Sequence, residues 1–150
     1  MLDNNLKYAR EDLEMTQEEL GYVFGVKKAT ISNWENGYDI IPLNKLIKFC
    51  NLYDYSLDFI VGFTRENKIY PKLDKTDKIK IGKKLKDLRK NLGLTQQQIA
   101  DECSISRATY CHYELGMNLV STLALYTICK NHKISMDSFL RQQKKWEYAK

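Results

Sequence analysis

The sequence predicts an all-α chain of two tandem five-helix domains joined by a short linker. Gly and Pro number only 7 and 2 in 150 residues, too few for the turns of an all-β sandwich. Apolar residues recur at three- and four-residue steps, the helical period. The chain also repeats itself: shifted by 79 residues, its second half falls on its first without a gap. A period this long marks a duplicated domain, because solenoid repeats are much shorter.

Identical pairs run the length of the repeat, among them Leu6 with Leu85, Arg10 with Arg89, Thr16-Gln17 with Thr95-Gln96, Glu35 with Glu114 and Cys50 with Cys129. Leu6, Ala9 and Leu13 mark a first helix, with Leu85, Leu88 and Leu92 as its copy. Thr16 precedes Glu19, and Thr95 precedes Gln98, by the three residues of a capping box. Each therefore starts a second helix, reaching about Phe24 and Cys103. Gly25-Val26 and Ser104-Ile105 make a tight turn that buries Val26 or Ile105. Short third helices follow over Lys28–Asn36 and Arg107–Leu115, stopped by Gly37 and Gly116 just past their ends. Pro42 and Ser121 introduce a fourth helix, and Ser56 and Ser135 cap a fifth. The expected layout is a first domain over 1–64, a charged linker over 65–78, a second domain over 79–141 and a basic tail over 142–150.

Composition bounds the function. An apolar share of 43% with 29% charged residues argues against disorder. No run of 18 apolar residues suggests a membrane span. The opening twenty residues mix both charges and hold no apolar run, so no secretory signal is expected and a cytoplasmic location is. Four cysteines without close pairing read as reduced thiols rather than disulfides or a zinc site. Two histidines in one repeat, no Gly-rich phosphate loop and no nucleophile–base arrangement give no catalytic residue, metal or cofactor. The net charge of +5 is uneven: −4 over residues 1–64, +2 over 65–78, +4 over 79–140 and +3 over 141–150.

Two short helices around a tight turn have the helix-turn-helix geometry, which leaves one face of the third helix outward. In the first repeat that face carries Lys28, Ala29, Asn33 and Asn36, with Lys27 just before it. In the second it carries Arg107, Ala108 and His112, with Ser106 before it. Such side chains suit a major groove: Lys and Arg pair with guanine, Asn with adenine, and Ala or a Thr methyl (Thr30, Thr109) with the thymine methyl. Gln17 and Gln96 open the second helices, where an amide and a backbone N–H can grip phosphate.

From Thr16 to Gly37 the chain reads TQEELGYVFGVKKATISNWENG, and from Thr95 to Gly116 TQQQIADECSISRATYCHYELG. With Arg10 and Arg89 ahead of them, these stretches resemble the phage-repressor-like (Cro/XRE-type) helix-turn-helix family. The resemblance implies two lambda-repressor-like domains and a sequence-specific regulator of transcription on double-stranded DNA, with repression favoured over activation. It implies that Gln17 and Gln96 touch the DNA backbone and support the base readers. Lys28, Ala29, Asn33, Arg107, Ala108 and His112 would face bases, and Lys27, Asn36 and Ser106 would approach phosphates. It also implies ion pairs Arg10–Glu35 and Arg89–Glu114. Lys27 departs from the usual hydroxyl cap, Ser104 from the turn Gly, and Leu115 and Cys111 stand where the first repeat has Asn36 and Ser32. A competing reading, favoured by the acidic first repeat, is a protein-interaction module such as an antitoxin or anti-repressor. A homodimer or a protein partner is left open beside DNA.

Overall fold

The computed structural model describes residues 4–73 and 76–141, and divides the chain into units Met1–Lys72 and Leu73–Lys150. The tail expected over 142–150 lies outside the described residues. Ten helices and no strand occur among them. The first unit holds α1 (Leu6–Asp12), α2 (Gln17–Phe24), α3 (Lys28–Glu35), α4 (Leu43–Tyr53) and α5 (Leu57–Ile60). The second holds α6 (Lys78–Asn91), α7 (Gln96–Glu102), α8 (Arg107–Glu114), α9 (Thr122–His132) and α10 (Met136–Arg141).

Local chemistry sets these boundaries. Thr16 accepts from the Glu19 N–H at 3.0 Å, and the Glu19 carboxylate accepts from the Thr16 N–H at 3.0 Å. Thr95 and Gln98 make the same reciprocal pair at 3.1 and 2.8 Å. Four orphan N–H groups at each helix start need partners, and each box supplies two. Ser56, Ser121 and Ser135 cap α5, α9 and α10 through the N–H groups of Phe59, Ala124 and Ser138. The longer α6 starts on Asp77, whose carboxylate accepts from Ile79 and Lys80. Both expected third helices end one residue early, with Asn36 and Leu115 as C-caps.

In the first unit Leu6, Ala9, Leu20, Ile31, Leu46 and Leu57 are buried around an aromatic run. Phe24 meets Trp34 edge-on at 6.0 Å, Phe49 lies 6.0 Å from Phe24, and Tyr55 stacks between Phe49 and Phe59 at 5.9 and 5.8 Å. Each such ring contributes about 2–3 kcal/mol of hydrophobic stabilisation. Tyr55 is a core residue. Its hydroxyl donates to Asp12 at 2.6 Å, and burial first, then the carboxylate, pushes its ionisation upward.

The second core exchanges bulk between positions. Tyr110 and Cys103 stand where Ile31 and Phe24 stand, and Ile128 replaces Phe49. Tyr110 adds bulk, but Cys103 and Ile128 are each smaller than the Phe they replace, so the second core fills its space with a different set of side chains. Burial pushes the Cys103 thiol up to about 11, with Glu102 adding to it, as for a neutral thiol packed as a small hydrophobe. None of the four cysteines is in a disulfide. The segment expected as a linker is fastened at its first part: Asn67 donates to the Asp54 carbonyl at 2.9 Å and accepts from the Ser56 N–H at 2.7 Å.

Candidate nucleic-acid interface

The third helix of each unit is held by its inner face. In α3 that face is Ile31 and Trp34, and in α8 it is Tyr110 and Tyr113, all buried. A backbone bond from Val26 N–H to Gly21 at 2.9 Å closes the first turn, and one from Ile105 N–H to Ala100 at 3.1 Å closes the second. Val26 and Ile105 are half-buried rather than buried, because the turn is short and sits at the rim. Gly25 has φ 67° and Ser104 φ 55°, so the left-handed position expected of the turn is occupied by a non-glycine in the second unit.

With the inner face fixed, Lys27, Lys28, Ala29, Asn33 and Asn36 are exposed and Thr30 is half-buried. In the second unit Ser106, Arg107 and Ala108 are exposed, while Thr109 and His112 are half-buried. The starts of the two helices differ. Lys27 makes no side-chain cap. Ser106 accepts from the Thr109 N–H at 3.0 Å and pairs with the Thr109 hydroxyl at 2.9 Å, so its hydroxyl is engaged in the helix it caps. Asn36 donates to the Ser32 hydroxyl at 3.2 Å.

Beneath this face lies a triad. Arg10 holds Glu35 with Nε at 2.6 Å and Nη2 at 3.2 Å, and its Nη1 donates to the Met15 carbonyl at 2.7 Å. The Glu35 side chain is only 1% exposed. Arg89 repeats the arrangement on Glu114 at 2.7 and 3.2 Å, with the Leu94 carbonyl at 3.0 Å. Gln17 and Gln96 complete each triad, donating to Glu35 and Glu114 at 3.0 Å. Sequence reasoning placed those glutamines toward phosphate and missed this inner bond, which joins residues 18 apart. Burial raises the Glu114 carboxyl, but the hydrogen bonds from Arg89 and Gln96 and the Arg89 charge outweigh it and leave the group below its ordinary value.

A shallow cleft in each unit brings the α2 or α7 start beside the third helix. In the first it is lined by Arg10, Gln17 and Lys28 together with Glu11, Glu14 and Glu18. In the second Arg89, Gln96 and Arg107 recur, with Gly93 and Gln97 among their neighbours. The carboxylates of the first cleft were not singled out from sequence, since nothing but the fold puts Glu11, Glu14 and Lys28 together. No group of three His, Cys, Asp or Glu among the described residues is arranged to hold a metal. No described helix is long and apolar enough to cross a membrane.

The helix-turn-helix family matches residues 6–60, and a helix-turn-helix domain family matches residues 82–145. The chain is a tandem helix-turn-helix protein. Both domains of this tandem protein are of the phage-repressor-like kind, and the two matches fall on the two units. Over 64 residues it is 33% identical to an uncharacterized HTH-type transcriptional regulator, YobD, of Bacillus subtilis strain 168. That alignment takes in 43% of this chain and 57% of the relative, so the chain spans little more than half that protein's length. No solved structure matches the tandem protein.

Proposed function

We propose that the protein regulates transcription by binding duplex DNA at specific sequences through both helix-turn-helix domains, acting as a repressor. The observation that carries this reading is the pair of exposed third-helix faces on helices eight residues long, each seated over an Arg–Glu–Gln triad whose glutamate side chain is buried. A helix 10–12 Å across with its side chains fits a major groove about 12 Å wide. Lys28 and Arg107 then address guanine, Asn33 adenine, and Ala29, Thr30, Ala108 and Thr109 thymine methyls, while His112 offers a ring nitrogen at the place of Asn33. Lys27 and Asn36 address phosphate, joined by the second N–H of Gln17 and Gln96. Ser106 contributes through the N-terminal turn that its hydroxyl closes.

The test is selection of bound duplexes from a random library by the full chain at stated salt, followed by titration of the enriched sequence. A defined sequence held far more tightly than random duplex, with affinity falling steeply as salt rises, is the expected result. Enrichment of no sequence, with no salt-dependent binding of any duplex, would overturn the reading. The likeness to YobD, an HTH-type transcriptional regulator, supports the regulatory role.

A further inference from the structure

The two clefts beside the third helices are built from equivalent positions, yet they carry opposite charge. In the first, Lys28 shares the space with Glu11, Glu14 and Glu18. In the second, Arg107 stands where Lys28 stands, and the three carboxylate positions are Lys90, Gly93 and Gln97. Gly93 and Gln97 line that cleft and Lys90 is exposed on α6 close by. Arg10 and Arg89 do not break the equivalence, because each is spent on its buried glutamate.

The fold does not require these carboxylates. Gln98 makes the capping box in the second domain as well as Glu19 does in the first, and Gln97 occupies the place of Glu18 without disturbing the helix start. Glu14 is held at φ 57°, where the second domain has Gly93 at φ 70°. A non-glycine residue is sterically disfavoured in the left-handed region, so the chain keeps an acidic side chain at a position whose backbone favours glycine. Strain kept at a functional face points to a role for the side chain.

We propose that Glu11, Glu14 and Glu18 form an electrostatic filter: they repel phosphate at the place where the second domain receives it. Duplex DNA is then anchored through the second domain, and the first domain docks only where Lys28 and Asn33 find their bases. This rests on the DNA-binding reading above and deepens it. Each carboxylate within a Debye length of a phosphate, ~10 Å at 0.1 M salt, weakens binding about two- to threefold, so three together give about tenfold. The filter lowers docking of the first domain on every duplex alike, so the ratio of specific to random affinity stays nearly constant while only the contacts of Lys28 and Asn33 at a matched site keep the domain docked against it.

The experiment transplants the second domain's residues into the first in the full chain, as Glu11→Lys with Glu14→Gly and Glu18→Gln. Binding to the selected site and to a random duplex is titrated across salt, with circular dichroism as the control for folding. Expected is about tenfold or more tighter binding to random duplex at low salt, a comparable gain on the selected site, and convergence with the parent at high salt. Glu18→Gln alone, on an exposed helix start, should move the same way by two- to threefold if the triple variant fails to fold. The reciprocal Lys90→Glu with Gln97→Glu should weaken random binding. A folded variant identical to a DNA-binding parent on random duplex would overturn the filter and leave the DNA reading standing. A parent and variant that both ignore duplex DNA but retain a basic protein partner would overturn both.

Discussion

Gln17 and Glu35 are joined by a 3.0 Å hydrogen bond from the amide Nε2 to the carboxylate, so the first residue of α2 is oriented from below by the last residue of α3. The donor must be the nitrogen, because the carboxylate can only accept. The amide oxygen therefore faces away from Glu35. One N–H remains for an outside acceptor.

Gln17→Ala should cost about 1.5–3 kcal/mol, the range for a hydrogen bond to a charged group, because Glu35 loses a donor it cannot replace with water. Denaturant melts followed by Trp34 fluorescence in a Trp146→Phe background would read the change in the first domain. A cost near zero would mean that the bond only orients the amide. Gln96→Ala should do the same to the second domain, followed by amide exchange in α8.

Arg10→Ala removes both guanidinium bonds to a carboxylate that is almost wholly buried. Stranding a buried charge costs about 3–5 kcal/mol, a large part of a small domain's stability. Adding Glu35→Gln removes the stranded charge and should restore part of the loss. A double variant no better than Arg10→Ala would place the cost in the lost Met15 bond instead.

Periodicity and caps made the ten helices legible, because both are local: Leu6-Ala9-Leu13, Thr16 with Glu19, and the stops at Gly37 and Gly116. The ion pairs were legible only through the family resemblance, since Arg10 and Glu35 are 25 residues apart. What stayed hidden has no local signature. Glu14 in the left-handed region looks like any exposed glutamate. Tyr55, between α4 and α5, reaches Asp12 at the far end of α1, 43 residues away. Lys84 donates to the Leu140 carbonyl on α10 and has its pKa lowered by burial and by Lys80. Gly82 carries no motif, yet a side chain there would meet the Glu114 carbonyl at 2.8 Å, so the close seating of α6 on α8 appears only in three dimensions.

Ser104→Gly should stabilise the second domain by roughly 0.5–1 kcal/mol, since relief of the strained backbone exceeds the entropy that glycine adds to the unfolded chain. Gly25→Ser should destabilise the first domain by a similar amount. Nothing lies within 4 Å of a Cβ placed at Gly25, so the cost is conformational and not steric. Thermal melts of the full chain should show shifts of a few degrees in opposite directions. Shifts of the same sign would reject the backbone account.

Glu114 gives the second domain an acid limit. Its folded carboxyl lies below the ordinary value, so the stabilisation is fully present above the unfolded value of about 4.3. It is lost as pH falls through the folded value. Denaturant midpoints at about pH 6, 4 and 3 should therefore drop for the second domain, and Glu114→Gln should lower the midpoint at pH 6 while flattening the decline. An equally steep decline in Glu114→Gln would move the acid sensitivity to other carboxylates.

The selected DNA should contain two unlike half-sites, because the two reading faces differ at matched positions. Lys28 and Arg107 both favour guanine, so one position should agree between the half-sites. Asn33 presents a donor and an acceptor that suit adenine, whereas His112, in the same place 79 residues on, offers only ring nitrogens and is half-buried. That position should differ. Lys28→Ala or Asn33→Ala should cost about 1–3 kcal/mol on the first half-site with little change on random duplex, while Lys27→Ala weakens both alike. Asn33→His is the sharper variant, since it gives the first domain the second's side chain without touching the triad below. Repeating the selection with it should shift preference at one base position only, toward the base found in the other half-site. Two identical half-sites, or an unchanged preference after Asn33→His, would remove Asn33 and His112 from the set of base readers and leave specificity to Lys28 and Arg107.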